Sequence, residues 1–128
     1  MRLWHQALIT KLPRMQLLGQ HRECCALRGN GWGKKHSVIN YVFNYHYGRL
    51  VAYHWLIMNE MKRRGFIPEE RWYLTSYRGK QCNVRVNTCI TAVKCYVENN
   101  WLIFPEHNDE YLKECLENLK NKGIYLDI

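Results

Sequence analysis

The sequence predicts an all-α fold, organised as one compact domain over residues 1–128. Three segments combine a helical spacing of apolar residues with residues that start or stop helices. Apolar residues make up 47% of the chain, which is enough to enclose a hydrophobic core between helices. We therefore expect a bundle of three packed helices.

The first helix is predicted over residues 14–28. Pro13 suits the first turn of a helix, and Gly19 is the only helix breaker in the stretch that follows. Gly29 is well placed to cap the carboxyl end. These residues delimit a helix of about four turns.

The second helix is predicted from about Tyr47 to Arg64. Basic residues from Lys62 onward interact favourably with the negative end of the helix dipole, and Gly65 stops the helix. Apolar or ring-bearing residues recur at three- and four-residue steps, namely Leu50, Tyr53, His54, Ile57, Met58 and Met61.

The third helix has the clearest limits. Asn108 is a good N-cap, the acids Asp109 and Glu110 favour the positive end of the dipole, and Gly123 ends the helix. Its apolar stripe consists of Tyr111, Leu112, Cys115, Leu116 and Leu119. Residues 83–104 are rich in Val, Ile, Thr and Tyr, and they fit either a hairpin or a short helix.

Positive charge is concentrated in the first half of the chain. Residues 1–66 hold eleven Lys and Arg against two acids, whereas residues 67–128 hold eight against nine, so the halves carry +9 and −1. This asymmetry indicates a polyanionic partner, most commonly a nucleic acid. A basic face that only promotes solubility is the alternative.

The six cysteines form disulfides or remain free thiols depending on whether the protein is exported or stays in the cytoplasm. No run of eighteen apolar residues occurs, and residues 1–12 lack the features of a secretory signal. We therefore expect no membrane association and a cytoplasmic protein, nucleoid-associated in a bacterium, whose six cysteines are free thiols. His21 lies at helical spacing from Cys24 and Cys25, which is compatible with half of a metal site, although buried free thiols are the favoured interpretation.

Glu23 is the only acidic residue among the first fifty-nine. On the predicted helix, the small residues Gly19 and Ala26 leave space around the carboxyl group of Glu23. The side chains of Gln16 and Gln20 can form hydrogen bonds in this space. Glu23 faces away from the apolar stripe formed by Leu17, Leu18 and Cys25. Since a carboxylate repels phosphates, a chemical role in proton transfer or in stabilising a developing cation would explain its presence. A surface glutamate paired with an arginine is the alternative.

The segment 17–23, which ends in Arg22 and Glu23, resembles the first helix of the pyrimidine-dimer DNA glycosylase/lyases, the phage endonuclease V type. The resemblance extends over most of the chain in the same order, with residues 81–102 as a small insertion of uncertain structure. Its further motifs are Gly33-Lys34-Lys35, Lys62-Arg63-Arg64-Gly65-Phe66, Tyr77-Arg78-Gly79 and Phe104-Pro105-Glu106-His107.

The resemblance implies a fold in which the N-terminal segment is threaded between three helices, and we expect a monomer. It also implies a DNA repair glycosylase, possibly with AP-lyase activity, that acts on a damaged or modified base such as a pyrimidine dimer. The nucleophile would be the α-amine of the chain, which is partly neutral at physiological pH because its pKa is near 7.7–8.0. Glu23 would assist proton transfer and hold the charge of the imine. Neither a metal nor an organic cofactor is needed.

Two positions depart from the family pattern. The bulky Arg2 favours retention of Met1, so the amine would belong to Met1. The family's second arginine is Ala26 here, and Arg28 is its nearest substitute. We expect double-stranded DNA to bind with the target nucleotide flipped out. The predicted phosphate contacts are Arg2, Arg14, Arg22, Arg28, Lys34, Lys35 and Arg78.

Two other functions are compatible with the same residues. One is a nucleic-acid-binding module that shares the fold without the chemistry. The other is a small phage or host interaction protein that binds nucleotides or another protein through the basic cleft.

Overall fold

A computed structural model describes residues 2–35 and 38–127 of the protein. Its α-helices are α1 (Arg14–Arg28), α2 (Tyr47–Arg63), α3 (Ile90–Glu98) and α4 (Asp109–Asn121). Shorter 3-10 helices cover Gln6–Lys11, Asn40–Asn44 and Glu70–Tyr73. No β-strand occurs in the described ranges, so the predicted all-α class is confirmed. None of the described helices is both long enough and apolar enough to cross a membrane.

The three predicted helices form where the local signals place them. Helix α1 has the predicted bounds, and α2 ends at Arg63, one residue earlier than expected. Asn108 caps α4, since its side chain accepts a hydrogen bond from the backbone N–H of Tyr111 at 2.9 Å. These limits depend on neighbouring residues, which explains why the sequence predicts them well.

Residues 83–104, for which the sequence left two choices, contain helix α3 and no hairpin. Val93 is fully buried, and Tyr96 and Val97 pack against the core at three- and four-residue spacing. One side of α3 therefore rests on α2. The bundle has four α-helices in the described residues, one more than the sequence predicted.

The N-terminal segment runs between helices, as the resemblance implied. The backbone N–H of Trp4 donates to the side chain of Gln20 on α1, and the carbonyl of Trp4 accepts from the hydroxyl of Tyr53 on α2. The carbonyl of Leu3 accepts from the hydroxyl of Tyr111 on α4. Residues from three helices thus fix the backbone of residues 3 and 4.

The buried side of α1 differs from the predicted stripe. Leu17 lies in the core as expected, but Cys24 is buried and Cys25 is only half-buried. The buried residues of α1 are Leu17, Gln20, Cys24, Leu27 and Arg28. Two polar side chains thus point inward, because partners on other elements satisfy their hydrogen bonds. This rotation places Glu23 at the edge of the buried side.

Candidate active site

A cleft of about 270 Å³ lies where the start of the chain meets the middle of α1 and the end of α4. It is lined by Arg2, Trp4, Glu23, Val38, Asn118 and Lys122. Only Arg2 and Glu23 were predicted to belong to a site. The structure brings these two together and adds residues from the other end of the chain.

Glu23 is half-buried in this cleft. Its Oε2 accepts a hydrogen bond of 2.8 Å from the side-chain amide of Gln20. Burial raises the pKa of Glu23, against the opposing effects of the positive charges of Lys122 and Arg22 and of the Gln20 hydrogen bond. A carboxyl group with a raised pKa can both donate and accept a proton, which is what acid/base chemistry requires. Of the two predicted amide neighbours, Gln20 makes the contact.

Two cations stand beside the indole of Trp4 in the wall of the cleft. The guanidinium carbon of Arg2 lies 5.9 Å from the centroid of this ring, and Nζ of Lys122 lies 5.3 Å from it. The side chain of Arg2 is only 16% exposed, and it makes a long 3.8 Å ion pair with Glu114. The cleft therefore combines one carboxyl group with positive charge, and the two cations lie against a Trp4 ring that is only 5% exposed. No sequence signal links Lys122 to Glu23, because most of the chain separates them.

The remaining predicted phosphate contacts on α1 and in the following loop are accessible. Arg14, Arg22, Lys34 and Lys35 are exposed. Arg22 adjoins Glu23 along the chain, so positive charge is available at the edge of the cleft. The predicted nucleophile, Met1, lies outside the described residues.

A comparison with protein families identifies the origin of this arrangement. The family described as pyrimidine dimer DNA glycosylase matches residues 1–74, more than half of the chain, including α1, α2 and Glu23. The chain belongs to this family. No curated protein and no solved structure matches it. The suspected family is confirmed, and a DNA substrate and glycosylase-type chemistry follow from it, whereas the motifs beyond residue 74 lie outside the match.

In this member of the glycosylase family, Arg28 does not lie at the surface, where the predicted contact with a DNA phosphate would require it. It is fully buried, and its guanidinium donates to the carbonyls of Trp72 at 2.6 Å, Leu74 at 2.8 Å and Tyr77 at 3.0 Å. Its remaining N–H groups face Tyr47 and His54. The prediction of a phosphate contact is wrong for Arg28, because all five N–H donors already serve the protein.

Arg78 is also partly engaged within the protein. Its Nε donates to the carbonyl of Arg28 at 2.8 Å, and its Nη2 donates to the carbonyl of Gly29 at 2.9 Å. A Cβ atom at Gly29 would lie 2.9 Å from the carbonyl oxygen of Arg78, so glycine permits this close approach. Arg78 thus holds the loop that follows α1, and it remains half-buried at the surface.

The one group of side chains with metal-ligand chemistry in the described residues is His21, Cys25 and His54, whose ligand atoms lie within 4.8 Å of one another. Arg28 Nη1 lies 3.0 Å from His54 Nδ1, and His54 Nε2 lies 2.8 Å from His21 Nδ1. A guanidinium can only donate, so His54 Nδ1 accepts and its Nε2 carries the proton that it donates to His21.

The protonation of this cluster does not suit a metal ion. Burial raises the pKa of the Cys25 thiol, which makes the loss of its proton to a metal ion less favourable. A bound cation would also lie close to the buried positive charge of Arg28, which would repel it. A histidine that binds a metal through one ring nitrogen normally donates a hydrogen bond from the other, but Nδ1 of His54 accepts one from Arg28. The cluster therefore fits a chain of hydrogen bonds from Arg28 through His54 to His21. The sequence suggested the pair His21 and Cys25 but not His54, which is on another helix.

Proposed function

We propose that the protein breaks the glycosidic bond between one base of a pyrimidine dimer and its sugar in double-stranded DNA, and then cleaves the strand as an AP lyase. The observation that carries this proposal is the placement of Glu23, a half-buried carboxyl with a raised pKa in a cleft that the first residues of the chain help to form. Family membership supports the DNA substrate and the glycosylase chemistry. The lyase step and the residue roles are our assignment.

In this mechanism the α-amine of Met1 is the nucleophile. Because its ordinary pKa is near 7.7–8.0, a useful fraction is neutral at physiological pH. The nitrogen attacks C1′ of the damaged nucleotide, and the bond from C1′ to the base breaks with its electron pair going to the base. The base takes up the proton that the attacking nitrogen loses. It is thereby released from its sugar, and in a dimer it stays joined to the adjacent pyrimidine. The sugar ring then opens between C1′ and O4′, which leaves a positively charged iminium between C1′ and the amine.

Glu23 serves both halves of the reaction. Its protonated form gives a proton to O4′ as the ring opens, and its carboxylate then stabilises the iminium charge. The carboxylate next removes a proton from C2′, so that the C3′–O bond breaks and the 3′ phosphate leaves. Water finally hydrolyses the iminium and restores the free amine.

DNA binding is assigned to the exposed cations of the first half. Arg14, Arg22, Lys34 and Lys35 would neutralise phosphates, with Arg2 and Arg78 at partly buried positions. The target nucleotide must leave the duplex to bring C1′ to the cleft.

The experiment that tests this function is borohydride trapping on duplex DNA that contains either one abasic site or one pyrimidine dimer. Borohydride reduces the iminium to a stable amine, so the native protein should become covalently linked to DNA. Acetylation of the α-amine or an N-terminal tag should abolish trapping, while the same tag at the carboxyl end should have no effect.

Each other outcome points to a different function. Full trapping by the N-terminally tagged protein would identify an internal lysine as the nucleophile. Base release without any trapping would indicate a glycosylase that uses water. Tight DNA binding without base release would favour a non-catalytic DNA-binding module.

A further inference from the structure

Gln20 is a buried amide, 1% exposed, that joins the start of the chain to Glu23. Its Oε1 accepts from the backbone N–H of Trp4 at 2.7 Å, and its Nε2 donates to the carbonyl of Arg2 at 2.9 Å. The same Nε2 donates its other hydrogen to Oε2 of Glu23 at 2.8 Å. Both amide hydrogens are thus used, one on the N-terminal segment and one on the carboxyl group.

The partners allow only one orientation of this amide. The backbone N–H of Trp4 can only donate and the carbonyl of Arg2 can only accept, so a flipped side chain would lose both hydrogen bonds. The hydroxyl of Tyr53 lies 2.9 Å from Oε1 of Gln20 and 2.7 Å from the carbonyl of Trp4. Its single proton serves one of the two acceptors at a time. The amide is therefore fixed by partners on both sides.

We propose that Gln20 is a positioning residue that sets the first residues of the chain at a fixed place relative to the carboxyl group of Glu23. This inference rests on the proposed function, in which the amine and the carboxyl group act on the same sugar. The α-amine belongs to the residue directly before Arg2. The stretch of chain between this amine and the Arg2 carbonyl that Gln20 holds covers two residues, roughly 7 Å at most when extended. Fixing Arg2 and Trp4 therefore limits the volume that the amine explores and favours productive attack.

The amide has a second effect, on the proton of Glu23. A hydrogen bond donated to a carboxylate stabilises its charged form, and burial acts in the opposite direction on the pKa of Glu23. Removal of the Gln20 donor should raise the pKa of Glu23 further. A residue that supported only the fold would not change the pH dependence of the reaction.

The test compares Gln20→Met with the matched control Gln6→Met. Gln6 also joins distant segments through its amide, since its Nε2 donates to the carbonyl of Trp101 and its Oε1 accepts from the N–H of Ile103, both at 2.9 Å. It makes no contact with the cleft. Single-turnover trapping on abasic DNA is measured from pH 5 to 9 for both variants and the native protein.

Gln20→Met should slow trapping by about 10- to 100-fold, the scale of a misplaced reacting group. The basic limb of its rate profile, on which Glu23 loses the proton that it gives to O4′, should move to higher pH, while its affinity for DNA stays within about threefold of the native value. Gln6→Met should keep the native rate and profile. Gln20→Glu keeps the acceptor but replaces the donor by a second carboxylate, and it should also move the basic limb to higher pH.

The outcomes separate this inference from the proposed function. Equal rates and pH profiles for Gln20→Met and Gln6→Met would overturn the positioning role of Gln20. If Gln20→Met does not fold, a native rate and profile for Gln20→Glu would overturn it instead. Absence of trapping by the native protein would instead overturn the proposed function itself.

Discussion

At the scale of single residues, the two acids of the first half have opposite environments. Glu60 is 4% exposed, and although burial raises its pKa, hydrogen bonds from Arg63 and Arg64 outweigh this effect and the pKa is lowered. Among the described residues, the hydrogen bond to Glu23 comes from the neutral amide of Gln20, and burial raises the pKa of Glu23. Glu60 is therefore held as a charged structural group, whereas Glu23 is able to exchange a proton.

This contrast predicts the behaviour of Glu23→Gln. The substitution keeps size and hydrogen bonding but removes the negative charge, so DNA affinity should hold or increase because a repulsion with phosphates is lost. Base release should fall by roughly 10²-fold or more, the usual scale for a positioned acid/base group. Affinity, base release and thermal stability are measured on the same preparation.

Glu60→Gln is the matched control. Loss of its ion pairs with Arg63 and Arg64 should cost about 1–3 kcal/mol of unfolding free energy, with native base release per folded molecule. Unchanged base release by Glu23→Gln, together with a lowered melting temperature, would show that Glu23 is a structural residue.

At the scale of elements, one chain of hydrogen bonds joins α1, α2 and the segment after α2. Arg28 holds three carbonyls between residues 72 and 77, and its guanidinium carbon lies 5.1 Å from the centroid of the Trp72 ring. It also donates to His54, which donates to His21. Both histidines must be neutral for this pattern to exist, so the packing of these elements depends on pH.

This dependence predicts a loss of stability in acid. Burial and the nearby charge of Arg28 lower the pKa of His54 well below its usual value, and burial with Arg22 and Arg28 lowers that of His21. The unfolded chain takes up these protons near pH 6.5, before the folded protein does. Stability is therefore complete above pH 6.5 and falls below it, by about 1.4 kcal/mol per pH unit for each proton.

Urea unfolding between pH 7 and pH 5 measures this slope. His54→Gln should reduce it by about 1.4 kcal/mol per pH unit, because one titrating group is removed. The native protein, measured in the same buffers, provides the reference slope. Burial also lowers the pKa of His5, and it lowers the pKa of His107 to about 3. Because these two histidines contribute to the slope as well, the contribution of His54 is the difference in slope between His54→Gln and the native protein. An unchanged slope in His54→Gln would contradict this account.

At the scale of the whole molecule, the uneven charge should govern affinity for DNA. Residues 1–66 carry a net charge of +9, and the exposed cations of α1 and of the following loop belong to this half. Burial removes Arg28 from the phosphate contacts, which leaves six of the predicted cations. Binding should be driven largely by the release of counterions from the phosphates.

The salt dependence of binding tests this prediction. The slope of log K against log salt should be about −4 to −5 for duplex DNA, the value for four to six neutralised phosphates. Lys35→Gln should reduce its magnitude by about 0.9. The control Lys113→Gln removes an exposed charge on the side of α4 opposite Lys122, and it should leave the slope unchanged. A flat response to salt would contradict nucleic-acid binding.

The sequence by itself determined the features that depend on near neighbours. The bounds of α1 follow from Pro13 and Gly29, and the start of α4 follows from Asn108, since caps and turns act over a few residues. The family could also be recognised from short motifs in their order along the chain. Glu23 attracted attention because it is the one acid among residues 1–59, which are otherwise basic. These signals were sufficient for the fold class and for the central candidate residue.

Only the tertiary structure decided which polar side chains are buried and what they contact. Arg28 appeared as suitable for phosphate as Arg22, but desolvation and three carbonyls make it a structural residue. Lys122 reaches the cleft of Glu23 from the far end of the chain, and Gln20 gains its partners only when residues 2–4 pass beside α1. Burial and hydrogen bonding depend on groups distant in sequence, and no local pattern records which groups the fold brings together.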